Sequence, residues 1–244
     1  MMERIDVLLV AKGLAKSRTA ASVYIKEGRV SVNGKTVSKP SERFDECDIA
    51  VEYPENDFVS RGGKKLLGAI EGFDLDVKGK VCLDIGASTG GFTQCLLLHG
   101  ASEVYAVDSG TDQLDMSLRK DSRVVCRENT NARYLRKTDF EDAIDLVVMD
   151  VSFISQTLIY PSVADILEKN GIFVSLVKPQ FELTKSRLSK NGIVKDKDGR
   201  IYEEIIEKIR RVSSENGLIL KNVIKSPITG GDGNTEYLAL FVKE

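Results

Sequence analysis

Four charged side chains stand where a packed core would not place them. Lys178 and Asp150 end two apolar runs, SLVK and LVVMD, that read as buried strands. A charge closing such a strand is awkward for packing and natural for a site at the edge of a sheet, although a lysine there could also snorkel to solvent. Lys65 in SRGGKKL and Glu236 in GNTEY could each be solvated taken singly; together the two amines and two carboxylates form a set able to hold and move a proton. Acid–base work must come from such groups. The chain has one histidine, His99, and four cysteines, Cys47, Cys82, Cys95 and Cys126, with no Cys-x-x-Cys pair. His99 falls at the end of a helical pattern just before Gly100, as a helix C-terminus would place it, and the cysteines read as free thiols. A zinc centre and a Ser-His-Asp triad are therefore excluded and no metal is expected, leaving Lys, Asp, Glu, Tyr or Cys.

The elements that must position these groups follow from periodicity. From Lys80 onward VCLDI, EVYAVD, RVVCREN, IDLVVMD and IFVSLVK read as strands, with GFTQCLLLHG and TDQLDMSLRK as helices between them and a further helix starting at Pro161. An amphipathic helix over 201–214, with Ile201, Ile205, Ile209 and Val212 on one face, leads into the strands LILKNVI and EYLALFVK. This succession predicts an α/β fold with a doubly wound, mostly parallel seven-stranded sheet, whose ligands bind at the carboxyl ends of the strands. The first strand runs into Asp84-Ile85-Gly86-Ala87-Ser88-Thr89-Gly90-Gly91, a Gly-x-x-x-Gly-Gly pattern unlike the Gly-x-Gly-x-x-Gly of nicotinamide and flavin sites. Its glycines let backbone approach a ligand closely, though a tight turn would explain them as well. Asp108, 22 residues after Gly86 and at the end of the next strand, can accept both hydroxyls of a ribose.

Composition places the chain among globular proteins of one large or two unequal domains: 244 residues, 42% hydrophobic and 30% charged. The absence of a long apolar run or a signal-like start leads us to expect a cytoplasmic protein with no membrane association. The net charge of −2 argues against a nucleic-acid partner only until the charges are located. Residues 1–43 hold nine bases and four acids, residues 44–57 six acids and no base, and residues 183–200 six bases (Lys185, Arg187, Lys190, Lys195, Lys197, Arg200) and two acids. We therefore expect a small basic domain over 1–45, an acidic linker over 46–61, a large domain over 62–244, and, after Lys178, a basic stretch that is either a mobile loop facing a nucleic acid or a solvated connection. In the small domain, Ser17 can cap a helix running to about Glu27 with Gly28 as its stop, and Asn33-Gly34 signals a hairpin, an α+β unit.

The segment from Arg4 to Phe44 resembles the RNA-binding module first recognised in the fourth protein of the ribosomal small subunit. The resemblance rests on Arg4-Ile5-Asp6, Gly13-Leu14, Ser17-Arg18, the turn from Ile25 to Gly28, and Val30-x-Val32-Asn33-Gly34. It implies contacts to structured RNA through phosphate and shape, for which Arg4, Lys12, Arg18, Lys26, Arg29 and Lys35 are the candidates. In the large domain, strand, glycine loop, helix, strand and terminal acid resemble the Rossmann-like class I methyltransferases. That implies S-adenosylmethionine as cofactor, held by Gly86, Ser88, Gly90, Gly91, Asp108 and Asp150, with Asn129 or Asn131 near the adenine unless those asparagines cap the following turn.

Lys65, Asp150, Lys178 and Glu236 resemble the Lys-Asp-Lys-Glu tetrad of the FtsJ-like RNA 2′-O-methyltransferases. With its N-terminal module the whole chain resembles the TlyA-type, hemolysin A family of rRNA methyltransferases. The shared motifs are Ser60-Arg61 with Lys65-Leu66, Asp150-x-Ser152-Phe153, Lys178-Pro-Gln-Phe-Glu182, and Gly233-Asn234-x-Glu236-Tyr237. Gly62-Gly63-Lys64 stands where the family often has bulkier residues, so Lys64 competes with Lys65 for the first position. The resemblance implies 2′-O-ribose methylation of ribosomal RNA, of a cytidine, with ribosomal RNA or ribosomal subunits as partner. An amine must shed its proton to act as a base, and burial beside a second cation favours that. On this reading Lys178 is the general base, Lys65 its neighbouring cation, and Asp150 and Glu236 orient the two. A non-enzymatic RNA-binding or ribosome-assembly factor and a direct hemolysin are the competing readings; monomer and dimer both remain open.

Overall fold

In the computed structural model the protein is described over residues 2–15, 17–45, 48–51, 58–189, 191–194, 196 and 199–244, with Lys185 by its backbone alone. Cys47, Lys16, Lys190, Lys195, Lys197 and most of the acidic stretch lie outside the described residues. The chain forms two compact units, Met1–Asp57 and Phe58–Glu244.

In the small unit a short strand β1 (Glu3–Arg4) leads into α1 (Ile5–Ala11) and α2 (Arg18–Lys26). The Ser17 hydroxyl caps α2 by accepting the Ala20 N–H at 3.2 Å. Strands β2 (Val30–Val32) and β3 (Lys35–Thr36) pair through a turn in which Asn33 and Gly34 both have positive φ, as the type I′ hairpin requires. A two-residue strand β4 (Arg43–Phe44) pairs with β1. Strand β5 (Ile49–Val51) then pairs with β2, placing Val51 against Val30. These residues fall in the range expected to be a linker; the surrounding acids hid a short alternating strand that adds to this unit's sheet. Ile5, Leu9, Ala21, Ile25, Val30 and Val32 form its core.

The large unit begins with α3 (Gly62–Phe73), which periodicity did not reveal. There follow β6 (Val81–Ile85), α4 (Gly91–Leu98), β7 (Glu103–Val107), α5 (Met116–Arg119), β8 (Val124–Arg127), β9 (Ile144–Met149), α6 (Tyr160–Ile166), β10 (Leu167–Val177), α7 (Pro179–Glu182), α8 (Arg200–Glu215), β11 (Leu218–Lys225) and β12 (Tyr237–Lys243). The sheet order is β11-β12-β10-β9-β6-β7-β8, with β12 alone antiparallel to its neighbours. Two-residue alternation splits the core in two. Leu83, Ile85, Val147 and Phe173 pack on one face with α6 and α8, while Cys82, Val104, Val148 and Val174 pack on the other with α3 and α4. The helix expected over TDQLDMSLRK shrinks to the four residues of α5. Glu128 explains this: its carboxylate accepts the N–H groups of Asp112, Gln113 and Leu114 and pairs with Arg119, fixing the first half as a turn. Those bonds, the Arg119 guanidinium first, hold the Glu128 carboxyl down at about 2.

Candidate active site

The carboxyl edge of the sheet collects the charged residues. Asp150 follows β9 and Lys178 follows β10, whereas β12 runs the other way, so its start lies at this edge. The pairing of Tyr237 with Val177 sets Glu236 next to the strand that delivers Lys178. The first turn of α3 supplies Lys65, whose Nζ lies 2.6 Å from Glu236 Oε2, with the two residues 7% and 3% exposed. Lys178 Nζ lies 2.5 Å from Asp150 Oδ1 and donates to Ser152 Oγ at 2.8 Å. Lys64 is exposed, so of the two neighbouring lysines it is Lys65 that the fold brings to this cleft. Burial raises the Glu236 carboxyl above its ordinary value, with the Lys65 ammonium and then Lys178 pulling it back.

Two adjoining cavities of about 420 Å³ and 430 Å³ share Gly86, Ser88, Asp150 and Ser152. The first is lined also by Ser60, Arg61, Lys65, Gly91 and Lys178, the second by Asp108, Asn131 and Phe153. This is the crevice between β6 and β9, where the order of strands reverses, the usual ligand position in such sheets. Gly86, at φ +83°, lies so close to the Asp150 carbonyl that a Cβ would collide with it. Gly91 is met in the same way by Ser60 Oγ and the Gly63 nitrogen of α3. Asp108 accepts the N–H of Ser88 at 2.8 Å and of Gly110 at 2.7 Å, bracing the glycine loop from the next strand. Beneath the loop, Asp84 is fully buried and accepts the Thr93 hydroxyl at 2.7 Å. Burial, more than the nearby Asp150 and Asp108 charges, pushes its carboxyl up to about 7 against that bond.

Two expected cofactor residues are placed elsewhere. Gly90 lines neither cavity: Leu114 and Leu118 pack where its Cβ would be. Asn129 lines a third cavity with Arg127 and Tyr134, which shares Thr130 and Asn131 with the cleft. Asn131 does reach the cleft, while its Oδ1 also accepts the Arg133 N–H at 3.2 Å, the capping role that the sequence left open. Sequence reasoning did not single out Phe153 as a site residue. It is 92% exposed with φ +64°, and its ring stands 5.2 Å from that of Phe181. An apolar residue is assigned to a core by default; its place directly after Ser152, three residues beyond the strand-end Asp150, was the available signal.

In the small unit, Asp6 is buried and bonded by Arg4 at 2.9 Å and Arg18 at 3.0 Å, which hold its carboxyl below the ordinary range, Arg4 foremost apart from the opposing burial. These two candidates thus have a structural task, although the Arg18 side chain remains 60% exposed. Arg29 pairs with Glu27 and lies over the Tyr24 ring, while Lys12, Lys26 and Lys35 are exposed. The described part of the basic stretch after Lys178 is folded rather than open. Arg187 pairs with Glu204 at 2.6 Å, Leu188 bridges Val194, and the Asp196 carboxylate accepts the Ile201 and Tyr202 N–H groups at the start of α8.

Residues 58–243 match the FtsJ-like methyltransferase family, and residues 3–49 match the S4 domain. The chain belongs to the FtsJ-like methyltransferase family. Hemolysin A of Brachyspira hyodysenteriae is 43% identical over 98% of this chain and 99% of its own. The 16S/23S rRNA (cytidine-2′-O)-methyltransferase TlyA of Mycobacterium tuberculosis is 42% identical over 96% of this chain and 87% of its own. A solved structure of a protein described as a hemolysin from Streptococcus thermophilus matches with a TM-score of 0.74 and 42% identity, over 99% of this chain and 88% of that one.

The cofactor of this FtsJ-like methyltransferase is S-adenosylmethionine, and the cleft fits it. Gly86 lets the loop close against the Asp150 backbone at the floor of the cleft, Asp108 offers a carboxylate at the end of the next strand, and α4 begins with N–H groups that no side chain caps. Among the described residues there is no cluster of three or more metal-binding side chains and no helix long and apolar enough to cross a membrane. The amphipathic face of α8 is spent on the sheet, where Ile205 and Ile209 are buried.

Proposed function

We propose that the protein methylates the 2′-hydroxyl of a cytidine in ribosomal RNA, with Lys178 as the general base. One observation carries this reading: two lysine–carboxylate pairs, Lys65–Glu236 and Lys178–Asp150, face one cleft that also holds the glycine loop. The relative TlyA, similar along nearly the whole chain, is named for that reaction, and the S4 match supports an RNA substrate.

A ribose hydroxyl is a weak nucleophile, so its oxygen must be aimed and its proton removed. S-adenosylmethionine supplies a methyl group on a positively charged sulfur. Gly86, Ser88, Gly91, Asp108, Asn131 and Asp150 would hold it along the edge of β6 and β7. Lys178 Nζ, fixed by Asp150 and Ser152, takes the proton leaving the hydroxyl. Lys65, anchored by Glu236, binds the nucleotide's phosphate side and adds positive charge beside Lys178. Phe153 offers an exposed ring at the mouth of the cleft on which the unstacked base can lie. Exposed Lys12, Lys26 and Lys35, with Arg4, Arg18 and Arg29, supply sequence-independent phosphate contacts.

The test is methyl transfer from labelled S-adenosylmethionine to ribosomal subunits lacking the modification, followed by mapping of the modified ribose. Lys178→Ala should lower transfer by about 10²–10⁴-fold, the usual worth of a general base, and leave cofactor binding intact. A folded Lys178→Ala protein with near-normal transfer would rule out this mechanism. Cofactor binding without transfer to any RNA by the wild type would favour an RNA-binding assembly factor.

A further inference from the structure

The segments that carry Lys178 and Glu236 are joined by side-chain hydrogen bonds to which methyl transfer itself assigns no role. Gln180, two residues beyond Lys178, donates from Nε2 to Asp232 Oδ2 at 3.2 Å. Asp232 also accepts from Asn234 Nδ2 at 2.9 Å and, through Oδ1, from the Asn234 N–H at 3.2 Å. Asn234, two residues before Glu236, reaches a third segment: its Oδ1 accepts the Val194 N–H at 3.0 Å and its Nδ2 donates to the Gly192 carbonyl at 3.1 Å. Gln180 and Asn234 are 8% and 3% exposed. Burial works to raise the Asp232 carboxyl, yet the bonds from Asn234 and Gln180 hold it below its ordinary value. The Asn234 amide has every donor and its acceptor engaged, whereas Gln180 Oε1 is buried without a hydrogen-bond partner, so Asn234 is the rigid end of the network and Gln180 is held by its single bond to Asp232.

We infer that Gln180, Asp232 and Asn234 are positioning residues: they fix the separation between Lys178 and the Lys65–Glu236 pair and tie both to the 189–194 segment. The inference rests on the methyl-transfer reading for its consequence and on the hydrogen bonds for its geometry. Neither lysine is held to the other directly. Lys178 hangs from β10 and Glu236 from the turn before β12, and among the described residues this network links the two backbones beyond the end of the β10–β12 ladder. Misplacing a reacting group by about 1 Å can cost about 10²-fold in rate, so the network's contribution is read in kcat rather than in binding.

The experiment uses the full chain with three variants: Asn234→Ala, Gln180→Glu, and Gln180→Glu combined with Asp232→Asn. Gln180→Glu sets two carboxylates against each other. The double change returns that one bond with donor and acceptor exchanged and keeps Oδ1 for the Asn234 N–H, while the Asn234 Nδ2 bond to the same Asp232 oxygen is lost. Two readouts are taken: kcat, KM and S-adenosylmethionine affinity with ribosomal subunits, and reductive methylation of Lys65 and Lys178 relative to exposed Lys64, resolved by peptide mass spectrometry. Gln180→Glu and Asn234→Ala should lower kcat roughly 10- to 100-fold, leave KM and cofactor affinity within about twofold, and change the Lys178 to Lys64 labelling ratio several-fold. The double variant should recover both readouts at least about threefold over Gln180→Glu alone, short of wild type because Asn234 Nδ2 has lost its acceptor. Unchanged labelling ratios, or a kcat loss that the exchanged pair does not rescue, would overturn the inference. A wild type that transfers no methyl group while the labelling ratios still shift would defeat the functional reading and leave the positioning role standing.

Discussion

Removing Glu236 is the perturbation whose consequence the structure sets most clearly. Its carboxylate lies 2.6 Å from Lys65 Nζ, and the two residues are only 3% and 7% exposed. Breaking a buried pair from one side costs about 3–5 kcal/mol, because the survivor is left without its counter-charge. Glu236→Gln should therefore destabilise the large unit by about that amount, and at about 2–4 °C per kcal/mol for a unit of this size the melting temperature falls by about 6–20 °C. Lys65→Met has a different signature. Burial already raises the Glu236 carboxyl, and without its ammonium partner the carboxyl escapes its charge by keeping a proton. A carboxyl whose folded value is raised loses stability as pH rises through that value, so the cost of Lys65→Met grows with pH above the ordinary range of about 4.3. Replacing both residues, as Lys65→Met with Glu236→Leu, should recover most of the stability, since apolar pairs of similar volume often equal or exceed a buried ion pair. That double variant should still transfer no methyl group, separating stability from chemistry. Thermal unfolding between pH 4 and pH 9, with labelled methyl transfer in parallel, reads all three variants. A Glu236→Gln loss below about 1 kcal/mol, the worth of an exposed pair, would refute the reasoning.

Three further outcomes are expected. Asp84, pushed up to about 7 by burial, keeps its proton in the folded chain after the unfolded chain has lost it; wild-type stability relative to Asp84→Asn should fall as pH rises from about 4 to about 7, and a difference flat across that window in denaturant titrations would show the carboxyl to be solvated. Phe153 is exposed at positive φ, so Phe153→Gly should leave stability unchanged or raise it by about 1 kcal/mol while lowering kcat/KM for RNA about tenfold, the worth of about one stacked base; undiminished transfer would remove the stacking role. Gly86→Ala should lower S-adenosylmethionine affinity at least about tenfold by calorimetry, because its Cβ would push the glycine loop off the Asp150 carbonyl, whereas Gly192→Ala, also at positive φ but in open space, should cost only about 1 kcal/mol of stability; equal cofactor binding by both variants would show that the contact of the loop with Asp150 does not shape the cofactor site.

Much of the site was legible because charge at the end of an apolar strand is a local signal. Asp150, Lys178 and Asp108 each announce themselves that way, and the alternation of Cys82 and Val104 against Leu83 and Tyr105 is the same signal read across both faces of the sheet. Failures occurred where a remote partner decided the local outcome. The expected helix over TDQLDMSLRK yielded to three N–H groups donating to the carboxylate of Glu128, just past the following strand. Ile49–Val51, expected in a linker, found an edge on β2. Asn129 lines a neighbouring cavity that shares Thr130 and Asn131 with the cleft.

From β6 onward the order of the strands, the glycine loop and the residue types at the strand ends were determined by the sequence alone, since period-two patterns and turn chemistry act within a few residues. Which of Lys64 and Lys65 enters the cleft depends on the register of α3 against the sheet, and the pairing of Lys65 with Glu236 depends on β12 running antiparallel so that its first residues, rather than its last, meet the carboxyl edge. Those are facts of long-range packing. They join residues more than 170 positions apart, between Lys65 and Glu236, and no local propensity encodes a distance of that kind.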